Sequence, residues 1–245
     1  GALAGMKAGA ILVDHTTASA DVAREIYTAA KNLGIPFIDA PVSGGQGGAQ
    51  NGLLTVMCGG DESVFDCVKP VAMAFSRAFT LMGASGAGQL TKMVNQITFS
   101  GIIQSLSEAM RFAQAAGLDL DKVFESISGG AASSWQMLNR WETMAKDEFD
   151  FGFAVDWMRK DLGLALEEAR SNGATLPLAA LIDQGDRHEH SGGIAARTAG
   201  EAGGIARDQA CVLELLHAAV RRRRGKPNLP SQPFTGQCGI QRQRG

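Results

Sequence analysis

From Gly88 to Gly117 apolar residues recur at helical spacing, at Leu90, Met93, Val94, Ile97, Ile102, Leu106, Ala109, Met110 and Ala113. That run is far longer than the roughly 11-residue average helix, and a helix of such length usually spans two bodies. It divides the chain, because the residues before it read α/β and those after it read helical. It opens from the glycine-rich turn Gly83-Ala84-Ser85-Gly86-Ala87-Gly88, and its first turns carry Lys92 and Asn95. Three residues apart, these two lie on one helical face, away from an apolar stripe of Leu90, Met93, Val94 and Ile97. A proton donor and an orienting amide then point the same way. Taken alone, a lysine near a helix start reads as a solvated surface residue.

Upstream, Ala10-Ile11-Leu12-Val13 predicts a buried strand of a parallel sheet, followed by the turn His15-Thr16-Thr17. Ser19 caps a helix that keeps its period to Gly34, and Ile35 to Ala40 reads as the next strand, completing a β-α-β unit. Leu53 to Cys58, a helix after Asp61, and Phe79 to Met82 extend the α/β pattern. In open α/β sheets ligands bind beyond the carboxyl ends of strands, which makes Thr16 and Thr17 and the turn Ser43-Gly44-Gly45 candidates by position. The glycines of that turn let backbone N–H groups approach an anion, although a glycine loop that merely ends a strand looks the same. No G-x-G-x-x-G dinucleotide fingerprint comes after a first strand. Gly45-Gln46-Gly47-Gly48 comes nearest, but Gln50 stands where the third glycine belongs and no helix pattern opens there.

Downstream, helical periods are expected around Val123 to Ile127, Ser134 to Met144 and Ala154 to Ser171. Trp135 and Trp141 read as core residues, since their neighbours are apolar and basic interleaving is lacking. Lys160 and Asp161 fall inside the last of these helices, where adjacent opposite charges are commonly a solvated pair.

Charge marks a further boundary. Residues 1–184 hold 13 Lys+Arg against 20 Asp+Glu, whereas residues 185–245 hold 10 against 5 and three of the four histidines. With Phe234 as its single aromatic and much Gly and Arg, the segment 185–245 is expected to be disordered apart from one helix over 212–220. A shifted reading frame would produce such a change. His188-Glu189-His190 makes a weak metal motif and Arg221 to Arg224 a weak nucleic-acid one, so neither a metal nor nucleic acid is expected. The cysteines Cys58, Cys67, Cys211 and Cys238 show no C-x-x-C pair, which points to free thiols and a cytoplasmic setting. No apolar run reaches the roughly 18 residues of a membrane span.

The spacing G-x-x-G-x-G-x-x-x-K-x-x-N over Gly83 to Asn95, with Asp39-Ala40-Pro41-Val42-Ser43-Gly44-Gly45 before it and Lys160-Asp161-Leu162-Gly163-Leu164-Ala165 after it, resembles the β-hydroxyacid dehydrogenase family. This family includes 3-hydroxyisobutyrate dehydrogenases and tartronate semialdehyde reductases. The resemblance runs from about Gly5 to Gln184 and starts inside the family's cofactor domain, short of roughly three β-α units. It implies the C-terminal part of a Rossmann-type doubly wound sheet over residues 1–82, an all-helical substrate and dimerisation domain over 83–184, and a tail over 185–245.

The activity implied is hydride transfer between NAD or NADP and a small β-hydroxy acid such as 3-hydroxyisobutyrate, or a semialdehyde, in a homodimer or homotetramer. Lys92 would exchange the proton, and an ordinary lysine pKa near 10.4 would have to fall towards roughly 7–8 for that work. Asn95 would orient the substrate and Ser43, Gly44 and Gly45 would hold its carboxylate. Thr16 and Thr17 would lie near the nicotinamide ribose. Lys160 would reach across the domain cleft to the nicotinamide, with Asp161 holding the helix or the lysine in place. The competing expectation is an inactive fragment that serves only as a helical association module with a basic tail.

Overall fold

The computed structural model describes residues 2–189 apart from 8, 147 and 150–152. A short helix α1 (Ala2–Gly5) leads into β1 (Leu12–Asp14), α2 (Ala20–Asn32), β2 (Phe37–Asp39), β3 (Val42–Ser43), α3 (Gly45–Gln50), β4 (Leu54–Gly60), α4 (Glu62–Ala72) and β5 (Ser76–Gly83). From there the chain is helical: α5 (Ala87–Ala115), α6 (Leu120–Ile127), α7 (Trp135–Lys146), α8 (Val155–Asn172) and α9 (Pro177–Glu189).

The sheet is mixed, not parallel throughout. β1 pairs parallel with β2, and β4 runs antiparallel to β2 and β3 but parallel to β5. The registers Ile38 to Gly60, Asp39 to Gly59, Val42 to Val56 and Ser43 to Thr55 are continuous, so β2 and β3 are one strand along β4. Pro41 interrupts the ladder because it has no N–H, yet its carbonyl still accepts the Met57 amide at 3.0 Å.

Successive strand residues face opposite sides, and the core keeps that alternation. Phe37 packs with Ala23 and Ala30 of α2, whereas Ile38 packs with Phe65 and Ala72 of α4. Helices thus cover both faces of the sheet, the layering expected of a doubly wound fold.

Two local expectations need correction. The glycine segment after β3 does form a helix, the six-residue α3, because Gly44 and Gly48 lie close enough to share the Leu54 side chain and the Gly48 amide reaches the Gly44 carbonyl at 2.9 Å. Trp135 is not core: it is 52% exposed with Arg140 stacked over its ring at 5.1 Å, while Trp141 is buried and donates from Nε1 to the Leu120 carbonyl at 3.1 Å.

The helical part closes on Ile103, Leu106, Met110, Met137, Trp141, Met158 and Leu162. α9 carries the chain to Glu189, so the first five residues of the expected 185–245 tail continue a helix and are not disordered; the rest of that tail, with the helix over 212–220, the arginine run, Cys211 and Cys238, lies outside the described residues. The histidine motif at 188–190 reaches past the same limit.

Candidate active site

α5 is the beam on which the site is built. At about 1.5 Å per residue its 29 residues span about 44 Å, passing from the sheet into the helical part. Its first turn is anchored by Asp39 at the end of β2, a side chain with no solvent exposure. Asp39 Oδ1 accepts the Gly86 amide at 2.7 Å and Oδ2 the Gln89 amide at 3.2 Å, with the Ser85 hydroxyl at 3.4 Å from Oδ1. A helix N-terminus leaves such amides without intrahelical partners and favours a negative group there. Burial pushes the Asp39 carboxyl above its ordinary value, and the bonds from Gly86, Gln89 and Ser85 oppose that shift.

The glycine spacing now has two distinct causes. Gly86, the N-cap, sits at φ 92°, a left-handed conformation that a side chain rarely adopts. Gly88 is needed for closeness: a Cβ there would collide with the Met57 carbonyl and lie 2.8 Å from Asp39 Oδ2. Next to this contact Cys58 is also buried, and burial together with the Asp39 charge pushes its thiol up to about 12, so it stays protonated. Cys58 and the exposed Cys67 are both free thiols.

One turn beyond Gly88, Lys92 is only 8% exposed, and Asn95, a turn further on, is half-buried. Asn95 Nδ2 donates to Gln96 Oε1 at 2.8 Å. Gln96, itself buried, donates from Nε2 to Asp161 Oδ2 at 2.6 Å. Asp161 Oδ1 lies 3.0 Å from Lys160 Nζ, at ion-pair distance and without hydrogen-bond alignment. Lys160 Nζ donates instead to the Thr17 carbonyl at 2.7 Å and rests 5.6 Å over the Trp157 ring. A polar run therefore leads from Asn95 on α5 through α8 to the loop after β1. It joins Asn95, Lys160 and Thr17, and it gives Asp161 contacts with both α5 and Lys160.

The same loop is held from a second side. Gln89, 1% exposed, accepts the Ala18 amide at Oε1 (3.0 Å) and donates from Nε2 to the Thr16 carbonyl (2.7 Å). His15 Nδ1 lies 2.7 Å from the Ala40 carbonyl, and the Thr16 amide reaches Asp14 Oδ1 at 2.9 Å.

Ser43, Gly44 and Gly45 stand apart from this run. Ser43 pairs with Thr55, Gly44 caps α3, and their interactions are with β4 and α3. Their tie to α5 is indirect: the Met57 carbonyl meets Gly88, and the Met57 amide meets Pro41, two residues before Ser43.

Gln89 and Gln96 have no role assigned from the sequence, and Asp39 stands in its motif without one. A signal for the first two exists: Gln89, Met93, Gln96, Ser100, Ile103, Ser107 and Met110 recur every three or four residues, and all are buried. The stripe of Leu90, Val94 and Ile97 is rotated away from it, and Val94 is 62% exposed.

Among the described residues no helix is long and apolar enough to cross a membrane, and no cluster of His, Cys, Asp and Glu suits a metal.

Comparison with known proteins covers both parts of the chain. Residues 1–83 match a family model described as the NAD binding domain of 6-phosphogluconate dehydrogenase. Residues 86–220 match one described as the NAD-binding of NADP-dependent 3-hydroxyisobutyrate dehydrogenase. An uncharacterized oxidoreductase of Shewanella frigidimarina is 65% identical over 184 residues, covering 75% of this chain and 63% of that protein. A probable mitochondrial 3-hydroxyisobutyrate dehydrogenase-like protein of Arabidopsis thaliana is 42% identical over 184 residues, 75% of this chain and 55% of that one. The solved Mycobacterium tuberculosis 3-hydroxyisobutyrate dehydrogenase with L-serine superposes with a TM-score of 0.75 at 28% identity, covering 89% of this chain and 72% of the other. The chain thus spans 55–63% of the length of these two curated relatives.

Proposed function

The chain belongs to the β-hydroxyacid dehydrogenase family, and we propose that it carries the substrate side of an NAD- or NADP-dependent oxidoreductase acting on a small β-hydroxy acid, such as 3-hydroxyisobutyrate, or on a semialdehyde. The observation that carries this reading is the run from Asn95 through Gln96, Asp161 and Lys160 to Thr17, which ties the helix of Lys92 to the loop of the nicotinamide candidates. An association module has no use for a nearly buried lysine beside such a run, so the inactive-fragment alternative gains no support from it.

The residues present fit one end of a dinucleotide. Thr16 is exposed at the carboxyl end of β1, and Lys160, with a side chain 37% exposed, sets an N–H donor beside it that suits the hydroxyls of a ribose or the oxygen of a carboxamide. Thr16, Thr17 and Lys160 would hold the nicotinamide end. The bound cofactor would supply or accept the hydride at the substrate carbon.

Lys92 gives a proton to the substrate oxygen during reduction and takes the hydroxyl proton during oxidation. Its near burial is the environment in which a lysine can be tuned for that exchange. Asn95 orients the substrate from the same face of α5, with its own amide fixed by Gln96. Ser43, Gly44 and Gly45 hold the substrate carboxylate through backbone amides. By length and exposed surface, including Val94 at 62% and Phe112 at 73%, α5 is the element for a homodimer or homotetramer contact, in line with the family's helical domain.

The test is to fuse a dinucleotide-fingerprint unit upstream of Gly1 and assay the product against 3-hydroxyisobutyrate and tartronate semialdehyde with each nicotinamide cofactor, wild type beside Lys92→Ala. Loss of a positioned acid–base group typically lowers the rate by about 10²–10⁴, so kcat should fall by that order while NADH or NADPH affinity holds. Near-normal turnover in Lys92→Ala would remove the lysine from the chemistry.

A further inference from the structure

Resting on that reading for its consequence, a residue at an unspecified position of the Gly83 to Asn95 spacing stands out at the base of α5. Gln89 is the most completely buried of the polar side chains on this helix near the site after Ser100, and both ends of its amide are spent on main chain 71 and 73 residues away. Its oxygen takes the Ala18 N–H and its nitrogen gives to the Thr16 carbonyl, the pattern by which one β-strand reads another. We propose that Gln89 is a positioning residue whose amide clamps the backbone of Thr16 and Ala18, and so fixes the loop that would meet the nicotinamide end of the cofactor against the helix that carries Lys92.

Three features make the clamp stiff. The Gln89 amide is itself held by Asp39 Oδ2, so the base of the side chain cannot drift. Gly88, its neighbour, is pressed on the Met57 carbonyl, which fixes the height of this helical turn above the sheet. Asp14 Oδ1 holds the Thr16 amide from within the same segment, and Lys160, which reaches the loop from α8, is over a third exposed, so its hold is weakened by solvent. Gln89 is therefore the rigid member of the pair and Lys160 the one that can let go. Gln89 and Lys92 are also i and i+3 on one helix, so anything that sets the loop on Gln89 sets it relative to Lys92.

The clamp can be read by residue-resolved amide hydrogen exchange on this chain, without substrate or cofactor. Gln89→Met keeps the length but removes donor and acceptor, leaving two main-chain groups unpaired. Exchange at Ala18 should accelerate about ten- to a hundredfold, the usual consequence of orphaning such groups, while Val13, Ile38 and Val56 keep their rates. Gln89→Glu adds a signature that simple loss of packing lacks. Protonated, its carboxyl can accept from Ala18 and donate to Thr16; ionised, it has no donor and sets an oxygen against the Thr16 carbonyl. The Ala18 rate relative to wild type should lie near one in acid, below the ordinary glutamate pKa of about 4.3, and climb as pH rises.

An Ala18 amide as slow as wild type in Gln89→Met, a pH-independent ratio in Gln89→Glu, or uniform acceleration through β1 and β2 would each overturn the clamp. Titration with NADH and NADPH, on the chain with a dinucleotide-fingerprint unit fused upstream, reads its consequence: a loop whose competent state is about ten times rarer binds about tenfold more weakly. Unchanged affinity with a released loop would overturn the positioning role. A wild type that binds neither nucleotide would count against the proposed function, and the exchange result would still decide the clamp.

Discussion

α5 makes two seams, and they are built from different materials. Against the sheet it is joined through its own main chain, with Gly88 on the Met57 carbonyl and the Gly86 and Gln89 amides on the buried Asp39 carboxyl. Against α8 it is joined by side chains, with Gln96 reaching Asp161 and Asp161 facing Lys160, which crosses to Thr17. Main-chain contacts at van der Waals distance have no slack, whereas a chain of long polar side chains can break and re-form without moving a backbone. Placing Lys92 between the two gives it one fixed wall and one adjustable wall, which suits the role proposed for it.

The largest effect is expected where slack is least. Gly88→Ala would put a methyl into the Met57 carbonyl and within 2.8 Å of Asp39 Oδ2, forcing α5 off the sheet. Overpacking of this kind costs about 1–3 kcal/mol or more, and backbone partners argue for the upper end. Gly163→Ala, in the interior of α8 with open space around its Cβ position, should instead stabilise by about 0.5–1 kcal/mol through backbone entropy. Urea unfolding of both variants measures the contrast. Equal effects at the two glycines would mean that the sheet seam is no tighter than the rest.

Next comes the charge in the same seam. Both Asp39 oxygens accept amide N–H groups, so Asp39→Asn must turn an NH2 onto one of them, at a cost of about 1–3 kcal/mol. A pH signature accompanies it. The folded carboxyl titrates above its ordinary value of 3.8, so the unfolded chain releases this proton first as pH rises. Stability from this group is fully present below that value and is lost as pH climbs through the folded one. The advantage of wild type over Asp39→Asn should shrink across that window, a comparison in which all other titrating groups cancel. A difference that widens with pH would mean that the amide bonds outweigh burial at Asp39.

The two seams also differ in how far they could be read in advance. Helical periodicity put Lys92 and Asn95 on one face, and the strand, turn and helix signals around Leu12, Ser19 and Phe37 marked the elements that carry the Thr16 loop. What periodicity missed was which face is buried. Near the site the inward stripe is Gln89, Met93, Gln96 and Ser100, and its polar members carry no hydrophobic signal beside Leu90, Val94 and Ile97. Those glutamines are buried because their partners lie elsewhere in the chain, at Thr16, Ala18 and Asp161. No local pattern encodes such partners. Gly88 was legible as part of a turn but not as a contact, since the Met57 carbonyl that demands it lies 31 positions upstream. α3 escaped for the opposite reason: glycine has no side chain to carry a period.

The smallest expected effect probes the adjustable wall. Asp161→Asn keeps an oxygen for Gln96 Nε2 and loses only the ion pair to Lys160, whose side chain is 37% exposed. Pairs this wet contribute little, so the change in stability should stay within about 1 kcal/mol. Lys160→Met should cost more than Asp161→Asn, although it removes the more exposed partner, because it leaves the 4% exposed Asp161 side chain charged without that cation. Combining them should recover part of the Lys160→Met loss, since the stranded charge is then gone. Thermal unfolding of the three variants tests the ordering. If Asp161→Asn were the worse single change and the effects simply added, the α8 wall would be a rigid seam like the sheet side, and Lys160 would not be free to move between Asp161, Thr17 and a ligand.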